Sequence, residues 1–265
     1  PFFLFLLVFF LFFIENFTFQ VVIHFLVTLS VWELIRLLNY RNSSKKSSIK
    51  GNFFLSRQRL NFSDFLIIII INLFFFTTIF NHFVIVYLIF FFFIPIFFLL
   101  KESLLKLLGI IYVCLPYYIL ILLSSDPNYQ NYLLLILFYA VTTDSSSFII
   151  GRFFKGWKIA PRISPGKTIS GSIGGIVIPL TLSLFLFSEK YDSFLIIVIT
   201  SIIFSTIVQV GDLIESYYKR VCFVKESSNL IPGHGGILDR FDGLALLIVF
   251  VYILKLLNFK FYFIV

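Results

Sequence analysis

An all-α, polytopic integral membrane protein is the fold class this sequence predicts, and three observations lead to it. The 265 residues are 60% hydrophobic and 20% aromatic, with a mean hydropathy of +1.03, which is far more apolar surface than a soluble domain buries around one core. Apolar runs of the length that crosses a bilayer, roughly 17 to 25 residues, recur along the whole chain. The polar breaks between them collect basic residues in three separate groups, the pattern of loops held on one side of a membrane.

In chain order the apolar runs fall near residues 1 to 14, 17 to 38, 62 to 79, 83 to 100, 104 to 124, 129 to 150, 172 to 188, 193 to 211 and 243 to 264. They predict about nine transmembrane helices, or eight if the short first run does not cross. That first run, PFFLFLLVFFLFFI, lacks the basic start and small-residue cleavage site of a signal peptide and reads as a span. The chain starts at Pro1 and contains no Met, so its natural start is expected to lie upstream or to be processed. Cys114 and Cys222 show no metal or redox spacing and are expected to be free thiols.

Arg41, Lys45, Lys46, Lys50, Arg57 and Arg59 form the first basic group. Arg152, Lys155, Lys158, Arg162 and Lys167 form the second, and Lys219, Arg220, Lys225 and Arg240 the third. Four spans separate the first two groups and two separate the last two, so all three loops fall on one side. The expected orientation is N-terminus inside and C-terminus outside, in the inner (cytoplasmic) membrane, with the polar motifs facing the cytoplasm. The formal charge of +8 is largely this bias, which argues against a nucleic-acid partner. The first loop reads as an orientation signal that touches anionic lipid headgroups.

The other two loops carry chemistry. In VQVGDLIESYYKR, Asp212, Ser216 and Lys219 stand at i, i+4 and i+7, on one face of a helix near its end. Such groups are costly beside hydrocarbon unless they face a polar cavity, bind an ion or pair; an ion pair of Lys219 with Asp212 or Glu215 is the structural alternative. In HGGILDRFD, two glycines let the backbone approach a ligand, and Asp239 and Asp242 stand at i and i+3 as the last helix begins. Helix capping accounts for Asp242, whereas Asp239 and Asp212 together offer the hard oxygens that Mg²⁺ prefers when it also holds phosphates. Lys219, Arg220, Lys225 and Arg240 would neutralise those phosphates. In the second loop SPGKT places a turn, a lysine and two hydroxyls together. It is not a Walker A loop, because the first glycine of that motif and a preceding strand are both missing. Gly171, Gly174 and Gly175 suit close helix packing.

The run from Ser216 to Asp242, SYYKRVCFVKESSNLIPGHGGILDRFD, resembles the signature of the phosphatidate cytidylyltransferases, also called CDP-diacylglycerol synthases. That signature reads S-x-x-K-R, a basic and acidic pair, a small residue, then P-x-H-G-G-x-x-D-R-x-D. APRISPGKTISGSIGG resembles the family's S-P-x-K-T segment with following glycines, and GDLIESYYKR its G-D-x-x-E-S-x-x-K-R. The match runs from Asp144 onward. Departures are Glu226 for Asp, Tyr218 for an aliphatic or Phe, Ile169 and Ser170 for Trp and an acidic or amide residue, and Ser146, Ser147 and Phe148 for a small-Ala-Tyr run.

The resemblance implies a nucleotidyltransferase of phospholipid biosynthesis that converts CTP and phosphatidate to CDP-diacylglycerol and pyrophosphate. It implies Mg²⁺ on Asp212 and Asp239, with a second cation such as K⁺ admitted. Ser216, Lys219 and Arg220 would contact phosphate, as would Ser164, Lys167 and Thr168. His234, Gly235 and Gly236 would shape the nucleotide pocket, Arg240 and Asp242 would complete the turn, and Asp144 would lie at the cavity. Residues 1–125 would then be N-terminal transmembrane helices and 126–265 the catalytic transmembrane region, with membrane lipid as a partner and a homodimer admitted. Three other readings stay open: CTP-dependent transfer to another lipid, a transporter whose intramembrane carboxylates bind a translocated cation, and an inactive paralogue acting as a binding protein. An inverted repeat would favour the transporter, but the polar motifs are confined to the C-terminal half.

Overall fold

The computed structural model describes residues 16–46, 60–79, 97, 103–187, 194–230 and 235–259. Within them lie α1 (Asn16–Lys46), α2 (Phe62–Ile79), α3 (Leu104–Ser124), α4 (Tyr129–Phe154), β1 (Lys158–Ala160), β2 (Ser164–Thr168), α5 (Ile169–Phe187), α6 (Phe194–Val221) and α7 (Leu238–Leu256). Each helix falls on one of the apolar runs. The run at 1 to 14 and, apart from Phe97, the run at 83 to 100 lie outside the described residues, as do Lys50, Arg57, Arg59 and His234. Among the described residues five helices are long and apolar enough to cross a bilayer: α1 over Asn16–Asn42, α3, α4, α5 and α6. The protein is a helical membrane protein.

The departure from the expected architecture is a small antiparallel hairpin, with Lys158 opposite Thr168 and Ala160 opposite Ser164. SPGKT is therefore a strand rather than a turn, and the reversal is made by Pro161, Arg162 and Ile163, closed by Ile163 N donating to Ala160 O at 3.1 Å. Both strands of a two-stranded sheet are edges, so Pro165, which has no N–H to give, is tolerated within β2.

Two compact units divide the chain. One comprises Ile14–Ser125 with Lys219–Asp239, and the other Asp126–Tyr218 with the chain from Arg240 onward. The sequence division at 125/126 leaves 219–239 with the C-terminal region, whereas by packing this segment joins α1–α3.

Lipid tails are as apolar as the helices themselves, so packing and hydrogen bonds rather than hydrophobicity align transmembrane helices. In the first unit Gln20 Nε2 donates to Ser124 Oγ at 3.0 Å, and Ser30 Oγ lies 2.9 Å from Tyr117 Oη. These pairs run α1 antiparallel to α3. Thr28 Oγ1 donates to Asn72 Oδ1 and Asn39 Nδ2 to Asp64 Oδ2, both at 2.7 Å, which makes α2 antiparallel to α1 as well. The strongest tie is the ion pair of Lys106 Nζ with Asp64 Oδ1 at 2.6 Å, whose side chains are 4% and 0% exposed.

In the second unit Tyr139 Oη sits between Ser183 Oγ at 2.8 Å and Ser201 Oγ at 2.7 Å, joining α4, α5 and α6. The expected close packing at the α5 glycines is present. A Cβ on Gly171 would lie 2.7 Å from Ser147 O, one on Gly174 would meet Ile150 at 2.6 Å, and one on Gly175 would overlap the Ser147 hydroxyl. Likewise a Cβ on Gly211 would lie 2.8 Å from Asp242 O and 3.3 Å from Gly243 Cα, so α6 and α7 cross backbone to backbone. Lys255 Nζ closes the opposite end of α7 on Asp126 Oδ2 at 2.7 Å.

Replacing Lys106 with Ala strands a buried carboxylate and is expected to cost about 3 to 5 kcal/mol, read as a lower thermal midpoint in detergent. Combining Lys106→Met with Asp64→Asn removes both charges and is expected to recover most of that loss.

Candidate functional site

In the second unit the C-terminal half of α4, the hairpin, the start of α5 and the C-terminal part of α6 line a cavity of about 560 Å³. Asp144, Ser164, Lys167, Thr168, Gln209 and Asp212 line it. β2 delivers Lys167 to an ion pair with Asp212 Oδ2, both side chains about a quarter exposed at 25% and 27%. Lys167 Nζ also reaches Gln209 O at 3.5 Å. One helical turn on, Ser216 Oγ donates to Asp212 Oδ1 at 3.3 Å. Lys167, Asp212, Ser216, Asp144, Ser164 and Thr168 are thus brought together as the sequence reading expects.

Thr168 has a second duty. Its Oγ1 accepts from Gly171 N at 3.1 Å and shares a hydrogen bond with Ser170 Oγ at 3.1 Å, so it is the N-cap of α5. Ser170, one of the departures from the family pattern, also donates to Lys155 O and ties the base of the hairpin to the helix start. Because α5 begins at this cavity, its free amides and the positive end of its dipole bias the space toward anions. Lys167 adds a full positive charge, while Asp144 and Asp212 supply hard oxygens suited to a cation. A polyphosphate with its metal requires both kinds of group.

The first unit holds the second cluster. Lys219 Nζ lies 2.7 Å from Asp239 Oδ1. Asp239 Oδ2 accepts from Ser227 N at 2.8 Å, Ser227 Oγ at 2.9 Å and Gly236 N at 2.9 Å. Burial pushes this carboxyl up, but the Lys219 ammonium, its hydrogen bond and the Gly236 and Ser227 amides outweigh that and hold it below its ordinary value. A depressed carboxylate stabilises the fold above its unfolded pKa of about 3.9, and that contribution is lost as pH falls through the lower folded value. Arg220 donates to Val224 O at 2.9 Å and closes the end of α6, a structural duty beside the phosphate contact expected of it. Phe223, at φ 62°, supplies the left-handed turn there.

The two glycines of HGG serve different neighbours. Gly235 has φ +84°, and a Cβ there would lie 2.7 Å from Asp239 Oδ2. A Cβ on Gly236 would lie 2.6 Å from both carboxylate oxygens of Glu33 and overlap the Ser227 hydroxyl. Asp242 is not a cap: α7 starts at Leu238, four residues before it, and Asp242 Oδ1 accepts from Gly243 N at 2.7 Å. Cys114 and Cys222 are free thiols, and burial pushes the Cys222 thiol up to about 11.

The sequence reading missed Glu33, Gln209, Ser227 and Ser228. Glu33 carried a signal, being the one acidic residue in the run from 17 to 38, where a carboxylate is expensive and needs a reason.

Lys167, the Asp144 and Asp212 carboxylates and the Ser164 and Thr168 hydroxyls around a helix N-terminus at a cavity form an arrangement whose chemistry suits phosphate-type anions. The family of the chain is identified by sequence comparison. A model described as the cytidylyltransferase family matches residues 1–257, and the chain belongs to that family. The phosphatidate cytidylyltransferase of Staphylococcus epidermidis is 40% identical over 116 residues, 42% of this chain and 42% of the relative. That of Staphylococcus haemolyticus is 43% identical over 116 residues, with the same shares. The Bacillus subtilis enzyme of that name is 40% identical over 110 residues, 41% of each chain. The matched stretch thus spans well under half the length of these relatives.

Gly235→Ala and Gly236→Ala are each expected to lower stability by about 1 to 3 kcal/mol, from a strained φ in one case and overlap with Glu33 in the other. Gly166, with nothing within 4 Å of an added Cβ, is the control: Gly166→Ala leaves the thermal midpoint within a degree or two, roughly ±0.5 kcal/mol.

Proposed function

We propose that this protein is a phosphatidate cytidylyltransferase of the inner membrane, transferring the cytidylyl group of CTP to phosphatidate on the cytoplasmic side. The observation that carries it is the cavity at the start of α5, where Lys167, the helix N-terminus and the Asp144 and Asp212 carboxylates meet. Membership of the cytidylyltransferase family and the names of its relatives support the same reading. The hairpin region supports a lipid acceptor. Phe153, Phe154 and Trp157 are exposed beside Arg152, Lys155 and Lys158, a composition suited to the headgroup layer of an anionic membrane.

In the proposed reaction a phosphate oxygen of phosphatidate attacks the α-phosphorus of CTP. A new P–O bond forms, the bond to the β-phosphate oxygen breaks, and pyrophosphate leaves with that electron pair. Phosphatidate is already an anion, so His234 is assigned to shaping the nucleotide pocket with Gly235 and Gly236 rather than to removing a proton. Protein side chains act by positioning and charge neutralisation. Lys167 and the α5 amides hold phosphate oxygens, joined by Ser164 and Thr168. Ser216, Lys219, Arg220 and Arg240 are assigned the remaining phosphate charge.

Mg²⁺ is usually held by one or two carboxylates together with substrate phosphates, and Asp212, with Asp144 lining the same cavity, fits that demand. Asp212 and Asp239 are its proposed ligands, with a second cation such as K⁺ part of the same reading. For Asp239 this has Lys219 exchange the carboxylate for a phosphate oxygen. Bound Mg²⁺ would supply charge neutralisation on the phosphates. A homodimer is proposed on the family resemblance alone.

Purified protein in lipid-supplemented detergent, given labelled CTP and a panel of lipid phosphates, is expected to form CDP-diacylglycerol and pyrophosphate in equal amounts from phosphatidate. No CDP-diacylglycerol from phosphatidate would sink the proposal, and turnover of a different lipid phosphate would move the acceptor. Chelation with EDTA is expected to abolish turnover and added Mg²⁺ to restore it. Lys167→Ala is expected to raise KM for CTP by about tenfold or more, the loss of a charge-assisted contact worth roughly 1.5 to 3 kcal/mol.

A further inference from the structure

We infer that Glu33, on α1 far back in the sequence, is a positioning residue of the transfer site: it holds Ser227, Ser228 and Gly236–Leu238 in the arrangement that sets Asp239 and Lys219. Resting as it does on the cytidylyl-transfer function proposed above, this inference adds a part of the machinery that no residue of the signature itself supplies. Glu33 is 0% exposed. Its Oε1 accepts from Ser228 Oγ at 2.5 Å and Ile237 N at 3.1 Å. Its Oε2 accepts from Leu238 N at 2.9 Å and lies 3.1 Å from Ser227 Oγ, whose single proton Glu33 and Asp239 share as alternatives.

Leu238 opens α7 and Ile237 precedes it, so these are amides that a helix start leaves without an internal partner. Glu33 caps α7 from a distant helix, with its negative charge at the positive end of the dipole. The same loop is gripped from its other side by Asp239. Ser227 Oγ lies within hydrogen-bond distance of both carboxylates, 3.1 Å from Glu33 and 2.9 Å from Asp239. Gly236 gives its N–H to Asp239 while its Cα faces the Glu33 oxygens too closely to admit a Cβ. Moving Glu33 therefore moves Ser227 and Gly236, three of whose donor groups hold Asp239 Oδ2.

Each Glu33 oxygen accepts one backbone N–H and lies against one serine hydroxyl, and the two backbone donors give the test its sharpness. Gln is the same shape, yet either orientation of its amide points an NH₂ at a backbone N–H, which cannot accept. A hydroxyl could rotate to adapt; the amide cannot. If Glu33 only filled space, Glu33→Gln would behave as wild type.

The full chain in detergent is compared with Glu33→Gln and Ser228→Ala, the second removing one donor without touching the carboxylate. Two readouts are taken: CDP-diacylglycerol formation, split into kcat and KM, and hydrogen exchange of a peptide spanning residues 227–240. Glu33→Gln is expected to lower kcat on the order of ten- to a hundredfold, the scale of small misplacements at a reacting centre. KM for CTP should change far less. Exchange in that peptide should accelerate about tenfold with α4–α6 unchanged, as for local opening. Ser228→Ala should move both readouts the same way by less, and it decides the matter if Glu33→Gln does not fold. Wild-type kcat and exchange in Glu33→Gln, or in Ser228→Ala where that variant decides, overturn the inference. Faster exchange in the variants of a chain that never turns over phosphatidate sustains the Glu33 clamp and overturns the cytidylyl-transfer function instead.

Discussion

A polar atom placed among hydrocarbon has no water to fall back on, so each one must find its partner within the chain. Every tie that orders this protein follows from that constraint. Asp64, 0% exposed, takes Lys106, Asn39 Nδ2 and the backbone N–H of Asn61, each through a contact of 2.6 or 2.7 Å. Tyr139, on the second unit's side, spends its hydroxyl on serines from two different helices. Leu, Ile and Phe can slide past one another with little change in energy; these polar contacts cannot, and they set which residue of one helix faces which residue of the next.

Small residues complete the same logic. Where polar contacts must be short, backbones must come close, and a Cβ is then an obstruction. Gly171, Gly174 and Gly175 let α5 lie against α4, and Gly211 with Gly243 lets α6 cross α7. The α4–α5 contact fixes the helix start whose amides face the cavity, and with it the approach of Lys167 to Asp212. Gly235 and Gly236 repeat the device at loop scale, where two carboxylates rather than two helices need the room.

Much of this was legible in the residues themselves. The described helices fall on apolar runs, and Asp212, Ser216, Lys167 and Asp144 do share one site. Glu33 was legible as a costly carboxylate in a span but not as a partner of Ser227 and Ser228, because nothing local joins positions about two hundred residues apart. Lys219 sits at helical spacing from both Asp212 and Glu215, and the structure gives it Asp239 as a partner. Helical spacing shows which groups can meet on one helix, and it is silent about a partner arriving from the start of another helix. SPGKT read as a turn because Pro and Gly dominate its composition, whereas strand pairing with Lys158–Ala160 decided its conformation. Asp242 read as a cap because the run of apolar residues starts after it, but α7 begins four residues earlier, where Glu33 receives its free amides.

By itself, then, the sequence determined the helical membrane class, the apolar runs on which the described helices fall and the residue types available for phosphate chemistry. These depend on composition, periodicity and short spacings, all of which act within a few turns of the chain. The tertiary structure alone decided which charges neutralise one another, that Thr168 caps α5 as it lines the cavity, and that a carboxylate in α1 shapes the loop before α7. The physical reason is range. A carboxylate accepts from whichever donors the fold brings within about 3 Å, and which ones arrive is settled only when distant helices have packed.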